Sequence, residues 1–156
     1  MSVKIVYPGS FRPFHLSHLK NVINVCNKYK KCKLIIAVSK ECKRRGLDIN
    51  TTIKIIKLSI PAVIANRVSV VTVSSNPIIS YKKLADLKIT HVITGSSNTI
   101  SVLKILKKIN LWNGNIIKLN NSGIHATKIR ELIYTGSNEW KKYIAQPAVS
   151  FLEAEM

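Results

Sequence analysis

Acidic side chains are the scarcest functional groups here: seven Asp and Glu face 25 Lys and Arg, a formal net charge of +18. No obvious nucleophile and no carboxylate dyad stand out, so hydrolysis by paired acids has little to work with. Aromatics make up only 6% of the chain. That is thin for a protein that reads single strands by stacking on bases, and no RNA-recognition or zinc-finger signature is present. No apolar run reaches the ~18 residues a bilayer span needs. The opening residues, MSVKIVYPGS, lack an h-region and a small-residue cleavage site, so no secretory signal is expected. The three cysteines, Cys26, Cys32 and Cys42, have no metal-like spacing. An odd count without a signal reads as free thiols in a reducing cytoplasm. Internal repeats, linkers and low-complexity segments are also missing.

What remains is an apolar fraction of 46% in 156 residues. That suits a single domain, 1–156, with its own core. The positive charge attracts polyanions, either nucleic acid or a nucleoside triphosphate. Lys, Ile and Asn are overused, as AT-biased coding produces, and roughly half of the excess charge is assigned to solvated surface.

Short apolar runs alternate with longer amphipathic ones. Strands are expected at Val3–Tyr7, Leu34–Ser39, Val68–Val73, Thr90–Thr94 and Ile116–Leu119, all apolar or β-branched. Helices are expected at Leu16–Tyr29, Thr51–Ala65 (bent or shortened by Pro61), Tyr81–Leu87, Val102–Ile109, Ala126–Thr135 and from Pro147 to Glu155. The alternation implies an α/β, Rossmann-like doubly wound fold: a parallel sheet of about five strands with helices on both faces. Ligands of such sheets sit beyond the carboxyl ends of the strands, where strand order reverses. Four segments should therefore converge: Pro8 to His18, Lys40 to Asn50, Gly95 to Asn98, and Asn120 to Arg130.

The first segment reads YPGSFRPFHLSHL, residues 7–19. Gly9 permits a tight turn and close backbone approach. The amides of Ser10 and Phe11, and the free N–H groups at the following helix start, can face an anion. His15 and His18, at i and i+3, share one face of the first helical turn. There they can donate to phosphate oxygens and stabilise charge developing at phosphorus. An isolated HxxH is ordinarily a surface or capping pair; strand, glycine turn and helix start together shift the balance. A zinc site fits less well, because helical zinc pairs are usually i, i+4 and no third ligand stands at a telling distance.

GSFRPFHLSHL resembles the GxFxPxHxGH signature of the nucleotidylyltransferase superfamily. GIHATKIREL, Gly123 to Leu132, resembles that family's second signature, ISxTxxR. The two stand in the family's order and spacing, and with the strand–helix alternation between them the likeness covers nearly the whole chain. The resemblance implies transfer of a nucleoside monophosphate from ATP or CTP to a phosphate on an acceptor, with release of pyrophosphate. It implies Mg2+ held mainly by the phosphates, with no protein ligand expected. His18 would contact the α-phosphate, and His15 nearby triphosphate oxygens. Gly9, Ser10 and Phe11 match the backbone cradle. Thr127 and Arg130 match the phosphate-binding pair of the second signature, with Ile124 and His125 beside them. Arg130 would grip the β- or γ-phosphate through its fork of donors. Gly95 and Ser97 match the loop after the fourth strand. Lys40, Lys43, Arg44 and Arg45 follow the second strand, where the loop overlooks the crevice; it either holds an acceptor phosphate or the leaving pyrophosphate, or is an ordinary solvated basic loop. Ser10, and Lys54 where relatives carry a helix Arg, complete the candidate acceptor-binding set. Trp112 and Trp140 are either base-stacking or core residues, with core packing favoured.

The chain also departs from the pattern. Ser17 replaces the HxGH glycine, His125 replaces a serine, Arg12 stands where Asp or Gln is usual, and Ser97 falls near an acidic position. The segment from Thr127 to Glu155 resembles nicotinamide or nicotinate mononucleotide adenylyltransferases, so that acceptor is expected first. Phosphopantetheine adenylyltransferase and glycerol-phosphate cytidylyltransferase are the alternatives within the superfamily. A basic nucleic-acid-binding protein on a retired transferase fold is the alternative from another class. A homo-oligomer is expected from family habit, and no membrane association.

Overall fold

A computed structural model describes residues 2–41, 47–120, 123 and 125–156. Five strands, β1 (Lys4–Gly9), β2 (Lys33–Ser39), β3 (Val68–Val73), β4 (His91–Thr94) and β5 (Asn115–Lys118), form one sheet in the order β3-β2-β1-β4-β5. Every pairing is parallel; Tyr7 lies opposite Ile36, and Val6 opposite Val92. Strand order reverses between β1 and β4, which places the ligand crevice above their carboxyl ends.

Among the described residues, seven α-helices connect and cover the strands: α1 (Leu16–Lys28), α2 (Ile49–Ser59), α3 (Ala62–Ala65), α4 (Pro77–Asp86), α5 (Ser97–Lys108), α6 (Ala126–Tyr134) and α7 (Gln146–Glu155). Alternate residues of each strand point to opposite faces. Ile5, Tyr7, Leu34, Ile36 and Val38 pack with α1, α2 and α7 in the larger core, which also holds Trp140. Val6, Ala37 and Val92 face the other way, onto Leu84, Leu103 and Trp112. Both tryptophans are therefore core residues, and the Trp112 indole donates to the Ile89 carbonyl at 2.9 Å.

The helix expected over 51–65 is divided. Ile60, extended ahead of Pro61, ends α2, and Pro61 caps the short α3. At its other end α2 starts earlier than expected, because the Asp48 carboxylate accepts from the Asn50 and Thr51 amides at 2.8 and 3.0 Å. α5 begins at Ser97 rather than Val102; the Ser96 hydroxyl caps it by accepting from the Thr99 amide at 3.3 Å. Its first turn is polar, which hid it from apolar periodicity. A 3-10 stretch over Asn138–Tyr143 was not expected, and it buries Trp140.

Candidate active site

A polar cavity of about 940 Å³ opens at the reversal point, between the end of β1, the head of α1, the loop after β4 and the segment entering α6. The turn after β1 builds its floor. Phe11 adopts a left-handed φ of 52° and buries its ring against Tyr7, 5.1 Å between centroids. A Cβ on Gly9 would meet that ring at 2.9 Å, so only glycine lets the turn close this tightly.

His15 is the N-cap residue of α1, and its backbone N–H donates to Nδ1 of His18 at 3.3 Å. Nδ1 of His18 therefore carries no proton, and the neutral ring holds its hydrogen on Nε2. The two imidazoles stand 3.8 Å apart between centroids, tilted by 30°. Burial holds His15 down at about 4, with electrostatic repulsion from the His125 side adding to it. Burial also holds His18 down at about 3, with repulsion from His15 adding to it. Both rings are thus neutral at pH 7. The buried Nδ1 of His15 has no hydrogen-bond partner.

The second motif meets this turn. Arg130, on α6, donates through Nη1 to the Arg12 carbonyl at 2.7 Å and through Nη2 to the Thr127 hydroxyl at 3.0 Å. Residues 118 apart in sequence are thereby joined, three positions from His15. His125 and Ala126 line the cavity wall, whereas exposed Thr127 and half-buried Arg130 lie outside that lining. Gly123, at φ 140°, passes so close to α1 that a Cβ there would lie 3.1 Å from the Ser17 hydroxyl. Ser17 thus fills the space between the two motifs.

The other site residues named from sequence are placed unequally. Gly9, Ser10, Phe11, His15, His18, Gly95 and His125 all line the cavity. Ser97 is exposed beyond its rim, and Ser96 lines the wall in its place. Lys40 is exposed at the end of β2 and Lys54 is exposed on α2; neither lines the cavity. Lys43, Arg44, Arg45 and Ile124 lie outside the described residues.

Sequence reasoning missed a polar stripe on α1. Ser17, Lys20, Asn21 and Asn24 line the cavity at helical spacing, and the Asn21 amide donates to the Tyr7 hydroxyl at 3.2 Å. That period was legible, but it was read only for its apolar face. A second cavity, about 700 Å³, lies on the opposite face of the sheet under α4. Its walls are largely apolar, and Pro8, Gly9, Thr94 and Ser96 border both cavities.

The strand order and the crevice define a Rossmann-like α/β fold. No family model matches the chain, and no curated protein matches it. Solved structures do. One is a protein from Vibrio parahaemolyticus assigned as a nicotinate-nucleotide adenylyltransferase: TM-score 0.73, 17% identity, over 97% of this chain and 99% of that one. Another is a bifunctional NMN adenylyltransferase/ADP ribose pyrophosphatase from Francisella tularensis: TM-score 0.68, 19% identity, over 94% of this chain. The chain spans only 46% of that second protein's length. Identities this low establish a shared fold.

Proposed function

We propose that this protein is a nucleotidyltransferase that moves AMP from ATP to a phosphate-bearing acceptor and releases pyrophosphate, with nicotinamide or nicotinate mononucleotide as the acceptor. One observation carries the reading: the turn that presents His15 and His18 is hydrogen-bonded through its Arg12 carbonyl to Arg130 of the second motif, at a cavity above the switch point. The fold of two adenylyltransferase-like neighbours supports it, as does the resemblance of the chain's last thirty or so residues.

In this reaction an oxygen of the acceptor phosphate attacks the α-phosphorus, the bond to the bridging oxygen breaks, and pyrophosphate leaves with the electron pair. Such a transfer needs positioning and charge stabilisation more than covalent help. His18 donates from Nε2 to an α-phosphate oxygen as charge builds there. His15 and the amides of Ser10 and Phe11 hold neighbouring oxygens, and Arg130 with Thr127 orients the far end of the triphosphate. Ser10, Lys40, Lys43, Arg44 and Lys54 are the residues proposed to receive the acceptor. The described cavity lining offers imidazole, amide, hydroxyl and ammonium groups but no carboxylate, a donor set for phosphate rather than for a hard cation. Magnesium would therefore ride on the triphosphate, neutralising part of its charge. The same reading carries a cytoplasmic, homo-oligomeric enzyme.

The neighbouring apolar cavity favours a second acceptor, phosphopantetheine, whose long uncharged arm suits such walls. A single experiment separates these outcomes: pyrophosphate release with ATP and Mg2+ in the presence of nicotinamide mononucleotide, nicotinate mononucleotide, phosphopantetheine or glycerol phosphate. Release fastest with a pyridine mononucleotide supports the proposal. Release only with phosphopantetheine moves the assignment to the second reading. No release with any of them, alongside steeply salt-dependent binding of nucleic acid, would overturn it.

A further inference from the structure

Arg12 is 3% exposed, and no carboxylate among the described residues pairs with it. Its Nη2 donates to the carbonyls of Ser39 and Lys40 at 2.9 and 3.2 Å. Its Nη1 is buried with no partner. A guanidinium stripped of water and incompletely bonded opposes folding. An apolar side chain of similar length would serve packing better. The arrangement does, however, fix a backbone position. The two bonds pin the turn after β1 to the last carbonyls of β2, and the Arg12 carbonyl held this way accepts Arg130 Nη1 at 2.7 Å. A single residue so joins the end of β2, the turn that presents the histidines, and α6.

We infer that Arg12 is a positioning residue: its buried side chain fixes the carbonyl that orients the Arg130 fork toward the triphosphate. The inference rests on the proposed transferase function. It separates two quantities that a packing role would keep together, stability and anion affinity. Arg12→Met removes the buried charge while keeping most of the volume. The variant should melt at the same temperature as the unsubstituted protein or higher, yet bind inorganic tripolyphosphate with Mg2+ about tenfold more weakly. Arg130→Ala should weaken binding about 20-fold in the unsubstituted protein and only about twofold beside Arg12→Met. That tenfold coupling, about 1.4 kcal/mol, is in the range seen for residues acting as one unit. Arg12→Lys, with its charge and one donor kept, should recover part of the affinity.

Titration calorimetry at fixed salt measures the four proteins of the cycle and Arg12→Lys. If the two substitutions multiply without coupling, or if Arg12→Met lowers the melting temperature and leaves affinity intact, Arg12 is structural only. If Arg12→Met does not fold, the same cycle is run with Arg12→Lys, and an uncoupled result there overturns the inference equally. If the unsubstituted protein binds no tripolyphosphate, the transferase reading itself fails and this inference with it; binding with uncoupled losses overturns this inference alone.

Discussion

Lowering the pH from 7 to 5 should tighten triphosphate binding about twofold through His18 alone. In the unliganded site burial holds that ring down at about 3, so it enters the complex neutral. A phosphate charge about 4 Å away, at an effective dielectric of about 20, favours the imidazolium by about 4 kcal/mol. The added proton must go to Nδ1, which breaks the bond from the His15 N–H and costs about 1–2 kcal/mol. The remaining roughly 2–3 kcal/mol raises the ring's affinity for a proton in the complex. Affinity for triphosphate therefore rises as pH falls, by about twofold between pH 7 and pH 5. Calorimetry in two buffers of different ionisation enthalpy should also show net proton uptake at pH 5. ATP's terminal phosphate titrates in the same range, so His18→Asn is measured alongside, since it keeps a donor and cannot ionise. The substituted protein should show a flatter profile. Parallel profiles, or affinity that falls with acid in the unsubstituted protein, would refute the placement of His18 against phosphate.

The same two histidines set acid stability. Their folded values, about 4 and about 3, lie below the unfolded value of about 6.5. The unfolded chain therefore binds more protons, and stability should fall as pH drops from about 6.5 toward 3; thermal melts across that range should show a shallower fall for His18→Asn. Arg130→Lys should raise the ATP KM by about fivefold to tenfold and leave the acceptor KM nearly unchanged, because one ammonium cannot replace the paired bonds to the Arg12 carbonyl and the Thr127 hydroxyl. Initial-rate kinetics decide it. Trp140→Ala should destabilise the fold by about 3–5 kcal/mol in urea, since its indole is 2% exposed in the larger core; a loss under 1 kcal/mol would remove it from that core.

The central strands β1, β2 and β4 were legible as aliphatic runs buried in a parallel sheet, which leaves no need for polar alternation, whereas the half-buried edge strands β3 and β5 were legible from their β-branched residues. β3 lies over Val68–Val73 as its composition suggests. Helix starts were harder to read. α4 and α5 both begin before their expected starts, at Pro77 and Ser97; in α5 the first turn is polar and is fixed by the Ser96 cap rather than by burial. In the site, the histidine turn was legible from local grammar alone: a glycine after a strand, then a helix start. The long-range bond from Arg130 to the Arg12 carbonyl was not, since nothing local marks which carbonyl a guanidinium will find. The stripe of Ser17, Lys20, Asn21 and Asn24 shows a different failure. A helix that faces a core on one side and a cavity on another carries two periodic signals, and hydropathy reveals only the first.

The most direct test is a structure of the protein with ATP and Mg2+ bound. The account predicts one triphosphate reached from both ends of the chain, with His18 Nε2 on an α-phosphate oxygen and the Arg130 guanidinium on the β- or γ-phosphate. A triphosphate lodged elsewhere, or touched by only one of the two motifs, would contradict it.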